Sequence, residues 1–339
     1  MRTKKGLPND DLYARLEVNP RARPEVIHAA FRALAPNSQP DQEGDSAGFA
    51  RLKEAIEILG DPDKRTAYDK ERNAIDGKVI GAYRVLKFIA EGGFGKTYRG
   101  EHVRLRAPVC IKHCSAISPE SDALLEHEAL VMWGLRHYAI PAVHDLLKLD
   151  DGSSALVMSY IEGPTLAQIV EKKGKIAADH VAWIMWRVLN ALQYLHFNGV
   201  IHGDIKPQNI IVQPKKHMAV LVDFGLAMVK PKSNDQNLGY TELFSPPEQE
   251  RGEPLIPETD FYSLGMTAIY ALTASEDRLR RRELPTTVPG PMRDFLSCLV
   301  AHNTLSRPNW NTMDLCDEIA KVREKSFGYV HSNMKELDI

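Results

Sequence analysis

The sequence predicts an α+β protein in two parts: a small all-α unit at the N-terminus and a larger α+β domain behind it. Three observations carry this. From Asp10 to about Asp69, apolar residues recur at helical spacing. From about Lys78 onward come stretches of strand length: Tyr83-Arg84-Val85-Leu86-Lys87-Phe88-Ile89 alternates like a strand, and an apolar run follows over 107–112. Further along, over 177–197, Val181, Ile184, Val188, Leu192 and Leu195 return to helical spacing.

Composition sets outer bounds. A chain of 339 residues suits two or three domains. Hydrophobic content of 43% and charged content of 26% are those of an ordinary soluble protein. A formal net charge of -2 gives no argument for nucleic acid or an anionic membrane as partner. The four cysteines, Cys110, Cys114, Cys298 and Cys316, form no CxxC pair, which points to a reduced, cytoplasmic chain. Cys110, His113 and Cys114 could ligate zinc, but no second ligand pair follows, so they read as small core residues at a strand edge. The basic N-terminus, Met1-Arg2-Thr3-Lys4-Lys5, is followed by no apolar stretch and is not read as a secretory signal. The uncharged run over 261–275 is too short and too rich in Ser, Thr and Gly for a membrane span, and reads as a buried core helix.

The first unit is built from three apolar stripes: Leu12, Tyr13 and Leu16; Val26, Ile27, Ala30, Phe31 and Leu34; Phe49, Leu52, Ile56 and Leu59, with Ala55 beside them. Pro24 suits the first turn of the second helix, and Gly60-Asp61-Pro62 stops the third. A short fourth helix carries Lys64-Arg65-Thr66-Ala67-Tyr68-Asp69. D-L-Y-x-x-L at the start and F-x-x-L-x-x-A-x-x-x-L-x-D-P-x-K-R-x-x-Y-D at the end resemble a J-domain, the co-chaperone module. Where that family carries its active His-Pro-Asp, this chain has Gln39-Pro40-Asp41. Pro36 should shorten the second helix, and Arg32 is the main remnant of the basic face that meets a chaperone ATPase. The resemblance therefore implies a J-like unit used for docking a protein partner or the domain behind it, against the plainer reading of a helical spacer.

In the second domain the strand at 83–89 runs into Ala90-Glu91-Gly92-Gly93-Phe94-Gly95-Lys96-Thr97-Tyr98, where glycines would let backbone donors approach phosphate closely. Lys112 ends an apolar strand, so it needs an anionic partner or must leave the core. Over 200–212, two apolar runs bracket a polar loop. In it Asp204 could accept a proton, Lys206 neutralise a phosphate and Asn209 hold a metal ion. After a turn at Pro214-Lys215-Lys216, the strand Ala219-Val220-Leu221-Val222 delivers Asp223-Phe224-Gly225.

Together these segments resemble, in order, the motifs of a serine/threonine protein kinase. Asp204 and Asn209 lie in a catalytic loop of the form H-R-D-x-x-x-x-N, with Gly203 in place of Arg. The glycine-rich loop has Ala90 at its first Gly and Thr97 at its Val. Cys110 stands at the Ala of V-A-I-K. The resemblance implies a two-lobed protein-kinase-like fold over 79–325, a linker over 73–78 after a helical domain over 1–72, and a tail over 326–339. It implies ATP and Mg2+ as cofactors and a Ser/Thr-bearing protein as substrate. Gly92, Gly93, Gly95 and Lys112 would hold phosphates. Met158 would be the gatekeeper, Ser159, Tyr160 and Ile161 the adenine edge, and Ile211 a further wall of that pocket. Counting back from Leu135-Arg136-His137, which resembles the family's helix-end signature, selects Glu128 over Glu126 as the expected partner of Lys112. On this resemblance Asp204 would be the base, Lys206 would steady the γ-phosphate, and Asn209 and Asp223 would hold magnesium. His202 is a packed structural residue.

Thr165 sits where the family often has a ribose-binding acid. Ser245-Pro246-Pro247-Glu248 is a variant A-P-E, with Glu248 expected against Arg307. Thr241 is expected on Asp204 and Lys206, and Asp260 behind the catalytic loop. Gly203 lacks the side chain that pairs with a phosphorylated activation segment, so activity is not expected to require phosphate there, with Ser233, Tyr240, Thr241 and Ser245 as possible sites. The alternatives are a pseudokinase scaffold, mildly favoured by Ala90 and Gly203, and a co-chaperone whose second domain only binds clients, which Gln39 disfavours.

Overall fold

The computed structural model of the chain describes residues 12–18, 22–35, 46–72, 75, 77–92, 95–114, 119–329 and 337. Gly93, Pro36 and Gln39-Pro40-Asp41 lie outside the described residues. The chain divides into two compact units, 1–76 and 77–339.

The first unit holds α1 (Leu12–Arg15), α2 (Pro24–Leu34), α3 (Ser46–Leu59) and α4 (Pro62–Arg72). Its core is Leu12, Tyr13, Leu16, Ile27, Leu52, Ala55, Leu59 and Tyr68. Each buried aliphatic contributes about 1.5–3 kcal/mol. The second stripe is narrower than predicted: Ile27 is buried, Phe31 and Leu34 line the margin, and Val26 is 50% exposed. The small core reaches only one edge of α2. Asp61 stops the chain between α3 and α4 by accepting from the Asp63 and Lys64 amides at 3.0 Å, a cap that lowers its pKa. The ends of the unit are tied by the Leu12 amide donating to Tyr68 Oη at 2.9 Å.

The second unit opens on a six-stranded antiparallel sheet. It contains β1 (Val79–Ile80), β2 (Tyr83–Gly92), β3 (Gly95–His102), β4 (Pro108–Cys114), β5 (Val143–Lys148) and β6 (Ser154–Ser159), in the order β1-β2-β3-β4-β6-β5. The alternation predicted for 83–89 ends at Val85. Register shifts after Val85 and Phe88 turn the strand, leaving Leu86, Phe88 and Ile89 exposed. Helix α5 (Pro119–Trp133) packs on this sheet through Leu125, Ala129 and Met132.

The rest is mainly helical: α6 (Leu166–Lys173), α7 (Ala178–Phe197), α8 (Pro247–Glu250), α9 (Pro257–Thr273), α10 (Glu276–Arg281), α11 (Gly290–Leu299) and α12 (Leu315–Phe327). The uncharged run falls in α9, whose residues from Thr259 to Ile269 are all buried. No helix among the described residues is long and apolar enough to cross a membrane. Two small ribbons cross the front of this lobe: β7 (Val200–Ile201) with β10 (Met228–Val229), and β8 (Ile210–Gln213) with β9 (Met218–Leu221). At Gly163 an added Cβ would lie 2.6 Å from Val212 O, so only glycine lets the chain leaving β6 pass this close to β8.

Candidate active site

The site is assembled from strand ends and turns, where polar side chains leave the hydrogen-bonded ladders. On β4, Lys112 pairs across to Thr97 and Leu156, and its ammonium turns toward α5. Nζ donates to Glu128 Oε2 at 2.6 Å and to Asp223 Oδ1 at 2.8 Å. Glu128 is buried, whereas Glu126 is exposed. The second Glu128 oxygen accepts from the Phe224 amide at 3.3 Å. Burial works against the Lys112 charge, but the two carboxylates overcome it and lift the ammonium above its ordinary pKa. Burial likewise opposes the Asp223 charge, and Lys112 more than compensates, holding that carboxyl below the usual range. Asp223 has φ +66° and its side chain is 33% exposed, so it faces open space while touching Lys112.

The loop between β7 and β8 carries the second cluster. Asp204 is 5% exposed. Lys206 Nζ lies 2.8 Å from its Oδ2, and Thr241 Oγ donates to its Oδ1 at 2.6 Å. Lys206 also donates to Thr241 Oγ at 3.1 Å. Asn209 Nδ2 donates to the Asp204 carbonyl and to its Oδ2, both at 2.9 Å, which leaves the amide oxygen directed away from Asp204. The two clusters are joined by the β8–β9 ribbon: Ile210 pairs with Leu221, and the Val222 amide donates to the Asn209 carbonyl at 2.9 Å. Asn209 thus stands one ladder step from Asp223.

Behind the loop, Asp260 at the start of α9 accepts from the His202 amide at 2.9 Å and the Gly203 amide at 2.8 Å. His202 is fully buried, with its ring 4.7 Å from that of Phe224; burial depresses its pKa and Nδ1 accepts from the Asp204 amide. Arg307 meets Glu248 through two bonds, of 2.6 and 3.0 Å, with both side chains buried.

Of the expected nucleotide-pocket residues, Met158 is buried on β6 opposite Cys110. Ser159, Tyr160 and Ile161 follow half-buried, and Arg99 lies over the Tyr160 ring at 5.2 Å. Ile211 on β8 is half-buried and bridges to Thr165. Thr165 itself starts α6 through a capping box, its hydroxyl accepting from the Gln168 amide while Gln168 Oε1 accepts from the Thr165 amide. Gly92 and Gly95 pair at the tip of the β2–β3 hairpin.

Several residues escaped the sequence reading. His196 Nε2 donates to Asp260 Oδ2 at 2.8 Å, and Trp310 Nε1 donates to His196 Nδ1 at 2.8 Å. The indole can only donate, so Nδ1 must be the acceptor and the proton sits on Nε2. His127 lies 2.7 Å from the Ala227 carbonyl, tying α5 to the segment after Asp223. Gln249 donates to the Gly203 carbonyl in the catalytic loop, and Asn237 donates to the Gln249 carbonyl. No local pattern marks any of them, because their partners are distant in sequence.

An antiparallel sheet over a helical lobe, with a Lys–Glu pair on one side of the junction and an Asp-Lys-Asn loop on the other, is a two-lobed protein-kinase-like architecture. The chain belongs to the protein kinase family: residues 83–333 match the model of the protein kinase domain. Residues 11–69 match that of the DnaJ domain, so the helical N-terminal unit is a J domain. Among curated proteins, the chain is 32% identical over 211 residues to serine/threonine-protein kinase pkn3 of Myxococcus xanthus. It is 32% identical over 217 residues to serine/threonine-protein kinase D of a Synechocystis species, and 30% identical over 213 residues to serine/threonine-protein kinase PknA of a Nostoc species. These alignments take in 58%, 58% and 57% of this chain but only 39%, 41% and 37% of the respective relatives.

Proposed function

We propose that the chain transfers the γ-phosphoryl group of ATP to Ser or Thr hydroxyls of a protein substrate. The observation that carries this reading is the convergence of Lys112, Glu128 and Asp223 with Asp204, Lys206 and Asn209. The family implies a nucleotide substrate and a divalent metal, and the donor set suits them. Asp223 and the free end of Asn209 are hard oxygen donors of the kind magnesium takes alongside phosphate and water. Bound there, the metal would supply charge neutralisation on the phosphates.

Lys112, held by Glu128, is placed to bind the α- and β-phosphates. Gly92, Gly93 and Gly95 would cover the phosphates, and Met158, Ser159, Tyr160, Ile161 and Ile211 would enclose the base. Asp204 orients the attacking hydroxyl and takes its proton, while Lys206 steadies the moving phosphoryl group. The Lys206-Pro207 form of the loop favours Ser/Thr over Tyr acceptors. We assign the J domain a docking role toward a protein partner, because Gln39 replaces the His of its active tripeptide. We place the chain in a reducing cytoplasm, a reading with which its four unpaired cysteines are compatible.

Radiolabelled phosphate incorporation by wild type, and not by Asp223→Ala, tests the reading. Equal background labelling by both would leave a nucleotide-binding scaffold instead.

A further inference from the structure

The catalytic loop and the segment 237–249 meet at the Thr241 hydroxyl and again at a second, buried side chain. Gln249, on α8, is 1% exposed. Its Nε2 donates to the Gly203 carbonyl at 2.7 Å and to the Gly239 carbonyl at 2.8 Å. Both partners are acceptors, so the orientation of the amide is fixed by chemistry: the nitrogen must face them and spend both hydrogens. Oε1 is then buried with no donor among the described residues. An orphaned acceptor of this kind is destabilising. The fold accepts that cost to hold two carbonyls from distant segments on one nitrogen.

Those carbonyls are well placed. Gly203 immediately precedes Asp204, and Gly239 is separated from Thr241 only by Tyr240. The Thr241 hydroxyl is the group bonded to Asp204 at 2.6 Å. Asn237 supports the junction from the other side. Its Nδ2 donates to the Gln249 and Glu253 carbonyls, each at 2.9 Å, and its Oδ1 accepts from the Gly239 amide at 3.1 Å. Gly203 has φ +72°, and a Cβ there would lie 2.9 Å from Leu226 O and 2.5 Å from Leu255 Cδ1, so the backbone at this point is shaped around glycine. Each bond that Gln249 and Asn237 contribute is between neutral amide groups.

We infer that Gln249 is a positioning residue for phosphoryl transfer: its amide, braced by Asn237, locks the segment carrying Thr241 against the catalytic loop, so that this segment holds its working position with no phosphate on it. The inference rests on the kinase reading above and adds to it the device that makes the site competent.

The test uses the full chain, stripped of phosphate by a phosphatase and verified by mass, with casein as phosphate acceptor. The stripped wild type keeps at least about half of the untreated rate. Gln249→Leu, similar in volume but without donors, loses roughly ten- to a hundredfold in kcat/KM for casein, chiefly through KM. Its affinity for ATP stays within about twofold, because the nucleotide contacts lie elsewhere. Asn237→Ala shows a smaller loss of the same kind, and carries the test if Gln249→Leu fails to fold. A stripped wild type that has lost its activity, or an Asn237→Ala or folded Gln249→Leu protein with unchanged casein kinetics, overturns the inference. A chain that labels casein neither before nor after phosphatase treatment overturns the kinase reading, and the inference with it.

Discussion

Lys112 Nζ lies 2.8 Å from Asp223 Oδ1, although 111 positions separate the two residues. The bond spans the junction between the sheet and the helical lobe, and Glu128 completes it from α5. A lysine at the end of an apolar strand is tolerable there only because both carboxylates reach it.

Lys112→Met should lower phosphate transfer at least about 100-fold, because a preorganised charge aimed at the phosphates is lost. It also leaves Glu128 buried without its counter-charge, a change expected to cost about 3–5 kcal/mol. Label incorporation and denaturant unfolding measure the two effects separately. Glu128→Gln should recover part of the stability in the Lys112→Met background and none of the activity.

Asp204→Asn should reduce kcat about 10²–10⁴-fold with little change in ATP affinity, since the amide cannot take a proton, while its one oxygen can stay with Lys206 and Asn209 and its nitrogen turn to the Thr241 hydroxyl. Thr241→Val should fall between this variant and wild type. Steady-state kinetics with ATP varied and casein fixed decide it. A drop confined to KM for ATP would contradict the assigned role.

The Glu248–Arg307 pair should behave as a buried ion pair does. Arg307→Met alone is expected to cost about 3–5 kcal/mol. The double replacement Glu248→Leu with Arg307→Met should recover most of that loss, because no charge is then stranded. Urea unfolding of the three variants gives the coupling directly.

Acid should weaken the sheet through His113. Its ring is buried beside Tyr98, with Nε2 2.9 Å from Ser153 Oγ. Burial lowers its pKa from 6.5 to about 4, partly opposed by Asp151 and assisted by Lys96 and Lys78. The unfolded chain therefore binds this proton more tightly than the folded one. The stabilisation is complete above pH 6.5 and is lost as pH falls through 4, amounting to about 3 kcal/mol. His113→Leu should flatten the stability profile between those limits, as followed by urea midpoints at a series of pH values.

Much of the site is legible in the sequence. Asp204, Asn209 and Asp223 stand in short polar segments between apolar runs, and such segments leave few places for a charge to go. The choice of Glu128 over Glu126 follows from its distance to Leu135-Arg136-His137, the family's helix-end signature, and residues two apart on a helix point to roughly opposite faces, one buried and one exposed. Thr165 occupies a ribose-binding position by family likeness, yet it starts a helix, a role that its local sequence, with Gln168 three residues on, also encodes. The stripe through Val26 reads too wide because periodicity gives the angle of an apolar face and says nothing of how much core stands opposite.

Backbone preferences and side-chain spacing within a few residues mark the helices of the first unit, the strands leading to Lys112 and Asp223, the long helix over 177–197 and the polar loop before Asp223, together with the order of the motifs. Packing alone brings Gln249 to Gly203 and Gly239, Trp310 to His196 and so the His196 proton to Asp260, and His127 to Ala227. These bonds join groups brought near by packing, and a hydrogen bond between distant segments depends on positions fixed to a few tenths of an ångström, which no local pattern specifies.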